Sequence, residues 1–351
     1  MIWALAGDSK RSGRRITIVL YSLGSVALAT MTGCDTDNPL VDPVKPAISA
    51  RILLLPPLEP TPGWRDVALG IDEYFRNMQS FQLETLSPPA RPKDYPTAIQ
   101  HALESKPDVV VLPIHDTETM RPFASLVAES GVTLITYGVT ADTPGVYGHV
   151  QVDWLVGIEE LAQRLPEIAA PKRSYVLIHE NGKNEASTAR YERFTTQAAR
   201  QFAVTRLDES NLFETKLDPG TAVRRLLARF RNTGLVVSLA SESWGRLPAE
   251  TIDNLPCRFV TIAAPPEMWQ WLENGKAAAL VGVNSAEIGR ELGSLIVHAS
   301  EGGTGSDPFR LIPAQVITLD NLADFRRRYA DASGRNIPNS SATPTGHQPA
   351  P

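Results

Sequence analysis

Short apolar runs alternate with longer amphipathic segments along most of this chain. Several short runs, such as 109–113, are almost continuous Val and Leu, which is typical of strands covered on both faces. The longer segments repeat apolar residues at the spacing of helices that pack on a sheet. The pattern predicts strands at 51–56, 82–86, 109–113, 133–137, 146–152, 174–179, 234–239, 258–262, 278–283 and 314–319, and helices at 64–78, 95–105, 117–130, 154–165, 187–202, 220–231, 265–274 and 286–299.

This repeated strand–helix order predicts an α/β fold with parallel sheets flanked by helices and joined by right-handed crossovers. The 351 residues suit two domains of roughly 100–200 residues each. Ligands of such sheets bind beyond the carboxyl ends of the strands. We therefore expect functional residues directly after the predicted strands.

The amino-terminal segment has the features of an export signal. A basic patch precedes an uncharged stretch at 16–30, which is short for a membrane span and rich in small residues. Met31-Thr32-Gly33-Cys34 follows the stretch and resembles the lipobox of bacterial lipoproteins, where the Cys thiol carries a diacylglycerol. An ordinary signal peptide, or an uncleaved anchor with a chance Cys, is the alternative interpretation. The basic residues are Lys10, Arg11, Arg14 and Arg15.

The segments at the two ends differ in composition from the rest. We predict a signal peptide over 1–33, lipidation at Cys34, a flexible Pro-containing tether over 34–49, and a disordered tail over 331–351. The resemblance to lipoproteins also implies a role for Asp35, since Asp directly after the lipidated Cys favours retention of enterobacterial lipoproteins in the inner membrane. The protein is thus expected on the periplasmic side of a bacterial membrane.

Composition and motifs exclude several classes of function. A net charge of −5 without a basic run after the signal argues against nucleic acid as a partner. With Cys34 lipidated, Cys257 has no disulfide partner and is most simply a buried apolar residue. The His and Cys residues are too scattered to predict a metal site. The sequence also lacks a phosphate loop and a nucleophile elbow, so we predict that the protein has no cofactor and is not an enzyme.

Several segments together resemble periplasmic solute-binding proteins of the ribose-binding type, the sugar-capturing subunits of ABC importers. The resemblance covers about residues 50 to 320. It is carried by the order of the landmarks Lys-Pro-Asp-Val-Val-Val-Leu-Pro at 106–113, Ala-Glu-Ser-Gly-Val-Thr-Leu-Ile-Thr at 128–136, His-Val-Gln-Val-Asp at 149–153, Thr-Ala-Arg-Tyr-Glu-Arg-Phe at 188–194 and Glu-Asn-Gly-Lys-Ala-Ala-Ala-Leu at 273–280.

The resemblance implies two doubly wound parallel-sheet lobes joined by three hinge strands, with the ligand in the cleft between them. It implies crossings near 152–153, 283–284 and 311–313, and closure around the ligand by a hinge motion. The amino-terminal lobe would comprise 50–152 plus 284–312. The carboxy-terminal lobe would comprise 153–283 plus 313–330.

Two residues match ligand-binding positions of that family. Trp64 lies where the family places a ring-stacking aromatic, and Arg190 matches a sugar-binding Arg at a helix start. The resemblance implies that they face each other from opposite lobes. Trp64 as a packing residue and Arg190 as a solvated helix residue are the alternatives. Asp116 follows a strand and serves either as a ligand acceptor or as a helix N-cap.

Other family positions carry different residues here, because Gly138, Val139, Ala263 and Val283 stand where polar side chains are usual. Each missing hydrogen-bond partner costs a sugar site about 1–3 kcal/mol. Polar and aromatic residues near the expected strand ends offer a different site. The full set of predicted ligand-binding residues is Trp64, Asp116, Tyr137, Asp153, Arg190, Glu242, Trp244 and Asn284, with His149 and Trp154 nearby.

The leading hypothesis is a membrane-tethered binding protein that delivers a small polar ligand, such as a sugar, to an ABC permease. One alternative is a sensor subunit that presents the ligand to a membrane receptor. Another is a degenerate lipoprotein of the same fold with a structural or interaction role, as the altered polar positions suggest.

Overall fold

The computed structural model describes residues 50–58, 63–89, 91–115, 117–139, 145–179, 185–200, 205–210, 225, 228, 233–239, 249–303 and 309–335. The predictions for Cys34, Asp35, Asp116, Glu242 and Trp244 lie outside these residues, as do those for the signal peptide and the tether. Within the described part, no helix combines the length and the apolar character that a membrane crossing requires.

The first of two six-stranded sheets is parallel throughout. Its central strand β3 is Val-Val-Val-Leu-Pro-Ile and is buried along its whole length, because helices cover both faces. The strand order is β11-β5-β4-β3-β1-β2, with β1 Ala50–Leu54, β2 Phe81–Thr85, β3 Val109–Ile114, β4 Thr133–Gly138, β5 Val146–Asp153 and β11 Phe309–Pro313.

The second sheet is parallel except for β12, which pairs antiparallel with β10. An apolar cluster lies on each of its faces, one of them rich in Trp and Phe. The order is β12-β10-β9-β8-β6-β7, with β6 Ser174–Ile178, β7 Thr205–Ser210, β8 Leu235–Ser238, β9 Arg258–Thr261, β10 Ala277–Gly282 and β12 Gln315–Ile317. The predicted α/β architecture of parallel sheets is confirmed.

Helices of the described residues connect the strands. Two of their amino ends have a side-chain cap within the described part, Asp153 and Asn284, and at the start of the last helix Asn321 Oδ1 accepts a hydrogen bond of 2.8 Å from the amide of Thr318. The helices are α1 Trp64–Phe75, α2 Tyr95–Leu103, α3 Thr117–Glu129, α4 Trp154–Ile168, α5 Glu185–Ala198, α6 Ala249–Asp253, α7 Trp269–Glu273, α8 Ser285–Ser300 and α9 Leu319–Ser333.

The chain passes between the two sheets at three places that lie close together. β5 runs directly into α4, β10 is followed by α8, and β11 is followed by β12. The carbonyl of Asp153 accepts a hydrogen bond of 3.0 Å from the amide of Ala314, which joins the first of these passages to the third. A Cβ on Gly157 of α4 would lie 2.8 Å from Val281 Cγ1 and 2.9 Å from Ala314 Cβ, so only glycine lets all three passages pack this closely.

Four elements of the described residues are missing from the sequence predictions, namely β7, β11, α6 and α9. β7 was not predicted because its sequence Thr-Arg-Leu-Asp-Glu-Ser is mostly polar, and β11 because Phe-Arg-Leu-Ile-Pro is only five residues long and has no buried position. α9 was also missed, although Leu322, Phe325 and Tyr329 form an apolar stripe at helical spacing. Its last turn extends to Ser333, into the region where a disordered tail was expected, because Ala332 and Ser333 are buried there. Of the helix predicted over 220–231, residues 225 and 228 are described as helical.

Candidate functional site

The amino ends of α1 and α8 meet at the carboxyl edge of the first sheet. A Cβ on Gly63 would lie 2.5 Å from Ser285 Oγ, and one on Gly289 would lie 2.2 Å from the carbonyl oxygen of Val67. Glycines at these positions therefore allow the two helix backbones to approach closely. This contact places Trp64, which follows Gly63, near Asn284, which precedes Ser285.

Trp64 is half-buried and packs against the apolar cluster between α1, α8 and the first sheet. At least part of the Trp64 surface therefore packs within the lobe, as the alternative interpretation states. Tyr137 near the end of β4 belongs to the same cluster and is 8 % exposed. The structure thus brings these two predicted residues to one side of the first sheet.

The Tyr137 hydroxyl is buried and has no hydrogen-bond partner among the described residues. Burial, and to a lesser extent the neighbouring Tyr95, raises the pKa of Tyr137, so its hydroxyl stays protonated and available as a donor. Tyr95 itself donates a hydrogen bond of 2.5 Å to the carbonyl of Pro56, just beyond β1. This edge of the sheet therefore carries two phenol groups, one of them unsatisfied.

Asn284 is the N-cap of α8, and its Oδ1 accepts a hydrogen bond of 3.0 Å from the amide of Ala286. The side chain is 1 % exposed, and its Nδ2 has no partner in the described part of the chain. An amide that satisfies one atom through capping still has its two N–H groups to offer. Asn284 is therefore a buried donor at the second passage between the sheets.

Asp153 serves as the N-cap of α4, because its Oδ1 accepts hydrogen bonds from the amides of Leu155 and Val156 at 3.1 and 3.3 Å. A carboxylate at a helix amino terminus is also favoured by the helix dipole. The structural role explains this residue by itself, and a role in ligand binding remains a prediction.

Arg190 lies on α5, which packs on α4 beside the second sheet. The side chain is 9 % exposed, so the alternative of a solvated helix residue does not describe it. The ring of its neighbour Tyr191 lies against His179, which directly follows β6, with 4.5 Å between the ring centroids. His179 therefore lies at the carboxyl edge of the second sheet, beside the part of α5 that carries Arg190, whereas Trp64 and Tyr137 belong to the first sheet.

The sequence prediction missed His179, although the signal that selected Tyr137, a position at the end of an apolar strand, applies to it equally. His149 was expected near a strand end, but it lies within β5 opposite Thr136. Its Nδ1 lies 2.7 Å from Thr136 Oγ1, and burial lowers its pKa to about 4. His149 is therefore a neutral side chain of the sheet at physiological pH. Among the described residues no cluster of three His, Cys, Asp or Glu side chains is suited to hold a metal ion.

Comparison with known families gives one match over most of the chain. A family profile described as periplasmic binding protein domain matches residues 54–304. This is a family of binding proteins, so the prediction that the chain is not an enzyme is confirmed. A comparison with curated protein sequences gave no match.

Solved structures share the fold at low sequence identity. A sugar ABC transport substrate-binding protein from Bordetella parapertussis has a TM-score of 0.64 at 17% identity, over 82% of this chain and 95% of its own. An ABC transporter solute-binding protein from Agrobacterium vitis, bound with α-D-tagatopyranose, has 0.64 at 18%, over 79% and 98%. A 5-methylthioribose transporter solute-binding protein from Thermotoga lettingae has 0.63 at 15%, over 85% and 97%. At these identities the likeness shows the fold alone.

Proposed function

The chain belongs to the periplasmic binding protein domain family, and from that premise we propose that it is a membrane-tethered lipoprotein that captures a sugar or a similar small polar ligand for an ABC importer. The ligand would lie between the carboxyl edges of the two sheets. Trp64, Tyr137 and Asn284 would contact it from one side, and Arg190 from the other.

The observation that carries this proposal is the pair of unsatisfied buried donors, Tyr137 Oη and Asn284 Nδ2. Leaving such a group without a partner costs about 1–3 kcal/mol, so buried polar groups of this kind call for a bound partner. A polyhydroxy ligand supplies acceptor oxygens to both. The choice of a sugar is further supported by the sugar transport system of the Bordetella protein and by the α-D-tagatopyranose and 5-methylthioribose of the Agrobacterium and Thermotoga complexes.

Arg190 and Trp64 would supply the remaining contacts. The guanidinium group offers a planar fork of donors to hydroxyl or carboxylate oxygens. Trp64 would present an aromatic face at the amino end of α1 to the apolar face of a sugar ring. Asp116, Glu242 and Trp244 remain predicted ligand residues on sequence grounds.

A thermal-shift screen of the purified chain against sugars, polyols and nucleosides identifies the ligand. Calorimetry then compares Tyr137→Phe and Asn284→Asp with the wild type, where the Asp variant keeps a capping oxygen but replaces the amide donor by a second carboxylate oxygen, which cannot donate when ionised. Tyr74→Phe, on the flank of α1, is the matched control. We expect roughly five- to tenfold weaker binding for each of the two site variants, since one hydrogen bond contributes about 1 kcal/mol.

A screen in which no compound raises the melting temperature would contradict ligand capture and favour the structural role. Closure is checked by small-angle scattering, in which the radius of gyration should decrease when the ligand saturates the protein. An unchanged radius would oppose a hinge motion between the lobes 50–152 plus 284–312 and 153–283 plus 313–330. A permease gene beside this one would favour the importer, and a kinase gene would favour the sensor.

The lipid anchor is tested separately. Cells that express the chain are labelled with a fatty-acid analogue, and the label should appear on the wild-type chain and be lost in Cys34→Ala. A wild-type chain without label would leave an ordinary signal peptide as the better interpretation. Inner-membrane retention, suggested by Asp35, is checked by membrane fractionation of the labelled protein.

A further inference from the structure

A cavity of about 400 Å³ lies at the amino ends of the second sheet's strands, away from the edge proposed to bind the ligand. Its walls include the residues that directly precede β8, β9 and β10, and Lys172 from the turn before β6. The proposed function makes no use of this part of the molecule.

Three cationic side chains, Lys172, Arg258 and Lys276, line this cavity, and no Asp or Glu is among the described residues of its wall. None of the three forms an ion pair with a carboxylate of the described residues. Cys257 lines the same cavity, and burial raises the pKa of its thiol to about 11, although the charges of the two lysines oppose this rise. Three like charges around one cavity in a chain of net charge −5 repel one another unless an anion joins them.

Two of the three cations are held by hydrogen bonds to main-chain carbonyls, and Lys276 Nζ donates to that of Leu255 at 3.4 Å. Arg258 Nη2 donates hydrogen bonds to the carbonyls of Ile168 and Ala170 at 2.7 and 2.5 Å, which leaves its other N–H groups without a partner among the described residues. A Cβ on Gly234 would lie 2.8 Å from Lys172 Cβ and 3.2 Å from its Cδ, so the glycine makes room for the lysine stem.

A buried polar group in the same wall also lacks a partner. Thr233 is 1 % exposed, and its Oγ1 has no hydrogen-bond partner in the described part of the chain. A hydroxyl can donate to an anion in the cavity that the three cations surround.

We propose that this cavity is a binding site for a small multivalent oxyanion, a phosphate group carried either by inorganic phosphate or by a small phosphate monoester. Lys172 and Lys276 act as point charges, and Arg258 offers a fixed guanidinium edge. Thr233 Oγ1 would complete the set of donors. The cavity volume exceeds that of a phosphate ion and leaves room for the organic part of a monoester.

The Cys257 thiol reports on occupancy, since it lines the cavity and is free. Alkylation of Cys257 by iodoacetamide, followed by peptide mass spectrometry, is measured at about pH 8 and constant ionic strength with increasing inorganic phosphate, glycerol 3-phosphate, glycerol or chloride. Both phosphate compounds, or the monoester alone, should slow alkylation in a saturable way, and the more effective one identifies the source of the phosphate. Chloride and glycerol should leave the rate unchanged.

Charge variants test the assignment. Lys172→Gln and Lys276→Gln should raise the half-protecting concentration about tenfold or more, as expected for loss of a charge-assisted contact. Lys172→Arg should keep protection, and Lys93→Gln on the first sheet's side is the matched control. The site would be overturned if neither phosphate compound protected Cys257, if chloride protected it equally well, or if the Gln variants of Lys172 and Lys276 behaved like Lys93→Gln. Because the site lies at the opposite strand ends, sugar binding should be the same in all these variants.

Discussion

The hydroxyl of Tyr329 donates a hydrogen bond of 2.5 Å to Asp66 Oδ1, across 263 positions of sequence. Asp66 lies in the first turn of α1, beside the first sheet. The ring of Tyr329 packs edge-on against Trp269 in the apolar cluster of the second sheet, with 5.2 Å between centroids. α9 therefore connects α1, which lies beside the first sheet, with the apolar cluster of the second sheet.

We expect Tyr329→Phe to lower the free energy of unfolding by about 1.5–3 kcal/mol, because a buried carboxylate loses a donor to its charged form. Asp66 is buried, and burial raises its pKa while the Tyr329 bond lowers it. Urea unfolding followed by circular dichroism measures the change. Tyr74→Phe serves as the control, and an equal stability of the two variants would contradict a stabilising role for the bond.

Gly157→Ala should destabilise the protein by about 1–3 kcal/mol, as overpacking of a close contact does. The new methyl group would meet Val281 and Ala314, where the passages between the sheets converge. Val156→Ala on the exposed neighbouring position is the control. Thermal unfolding measures the change. A melting temperature equal to that of the control would show that α4 can move away from Val281 and Ala314 without loss of stability.

His149 predicts a pH dependence of stability. Its pKa is about 4 in the fold, below its ordinary value of 6.5, because of burial. Below pH 6.5 the unfolded chain takes up a proton that the folded chain does not bind until about pH 4. The contribution of His149 to the free energy of unfolding is therefore lost as pH falls from 6.5 to about 4, by up to about 3 kcal/mol.

The measurement compares urea unfolding at pH 7 and pH 5 for the wild type and His149→Gln. The variant should lose less stability over this interval than the wild type, and the exposed His101→Gln should behave as the wild type does. The same pH dependence in all three chains would refute the assignment to His149.

Arg190→Ala should weaken binding of the ligand found in the screen by roughly 10- to 150-fold, the effect of losing a charged hydrogen-bond donor. Arg193→Ala on the same helix is the matched control, since Arg193 is exposed and pairs with Glu159 on α4 at 2.9 Å. Calorimetry measures both. If Arg190→Ala bound the ligand with wild-type affinity, Arg190 would not be a ligand contact, and Glu242 and Trp244 would be the next residues to test.

Local patterns in the sequence determined most of the strands and helices. The apolar run 109–114 is a buried central strand because every side chain in it gains from leaving water, whichever face it occupies. α7 ends at Glu273, one residue before the predicted end at 274, and the following Gly275 adopts a φ of 74°, which glycine accommodates without strain. These features depend on neighbours within a few residues.

The tertiary structure alone decided which distant segments pair and what each polar residue contacts. β11 joins the edge of β5, and β12 joins β10, although only Ala314 separates them. Asp153 and Asn284 cap helices at the passages between sheets, which their position after a strand did not reveal. The sequence of α9 has helical periodicity. The hydrogen bond from Tyr329 of α9 to Asp66, however, joins residues 263 positions apart, and no local sequence pattern predicts such a contact.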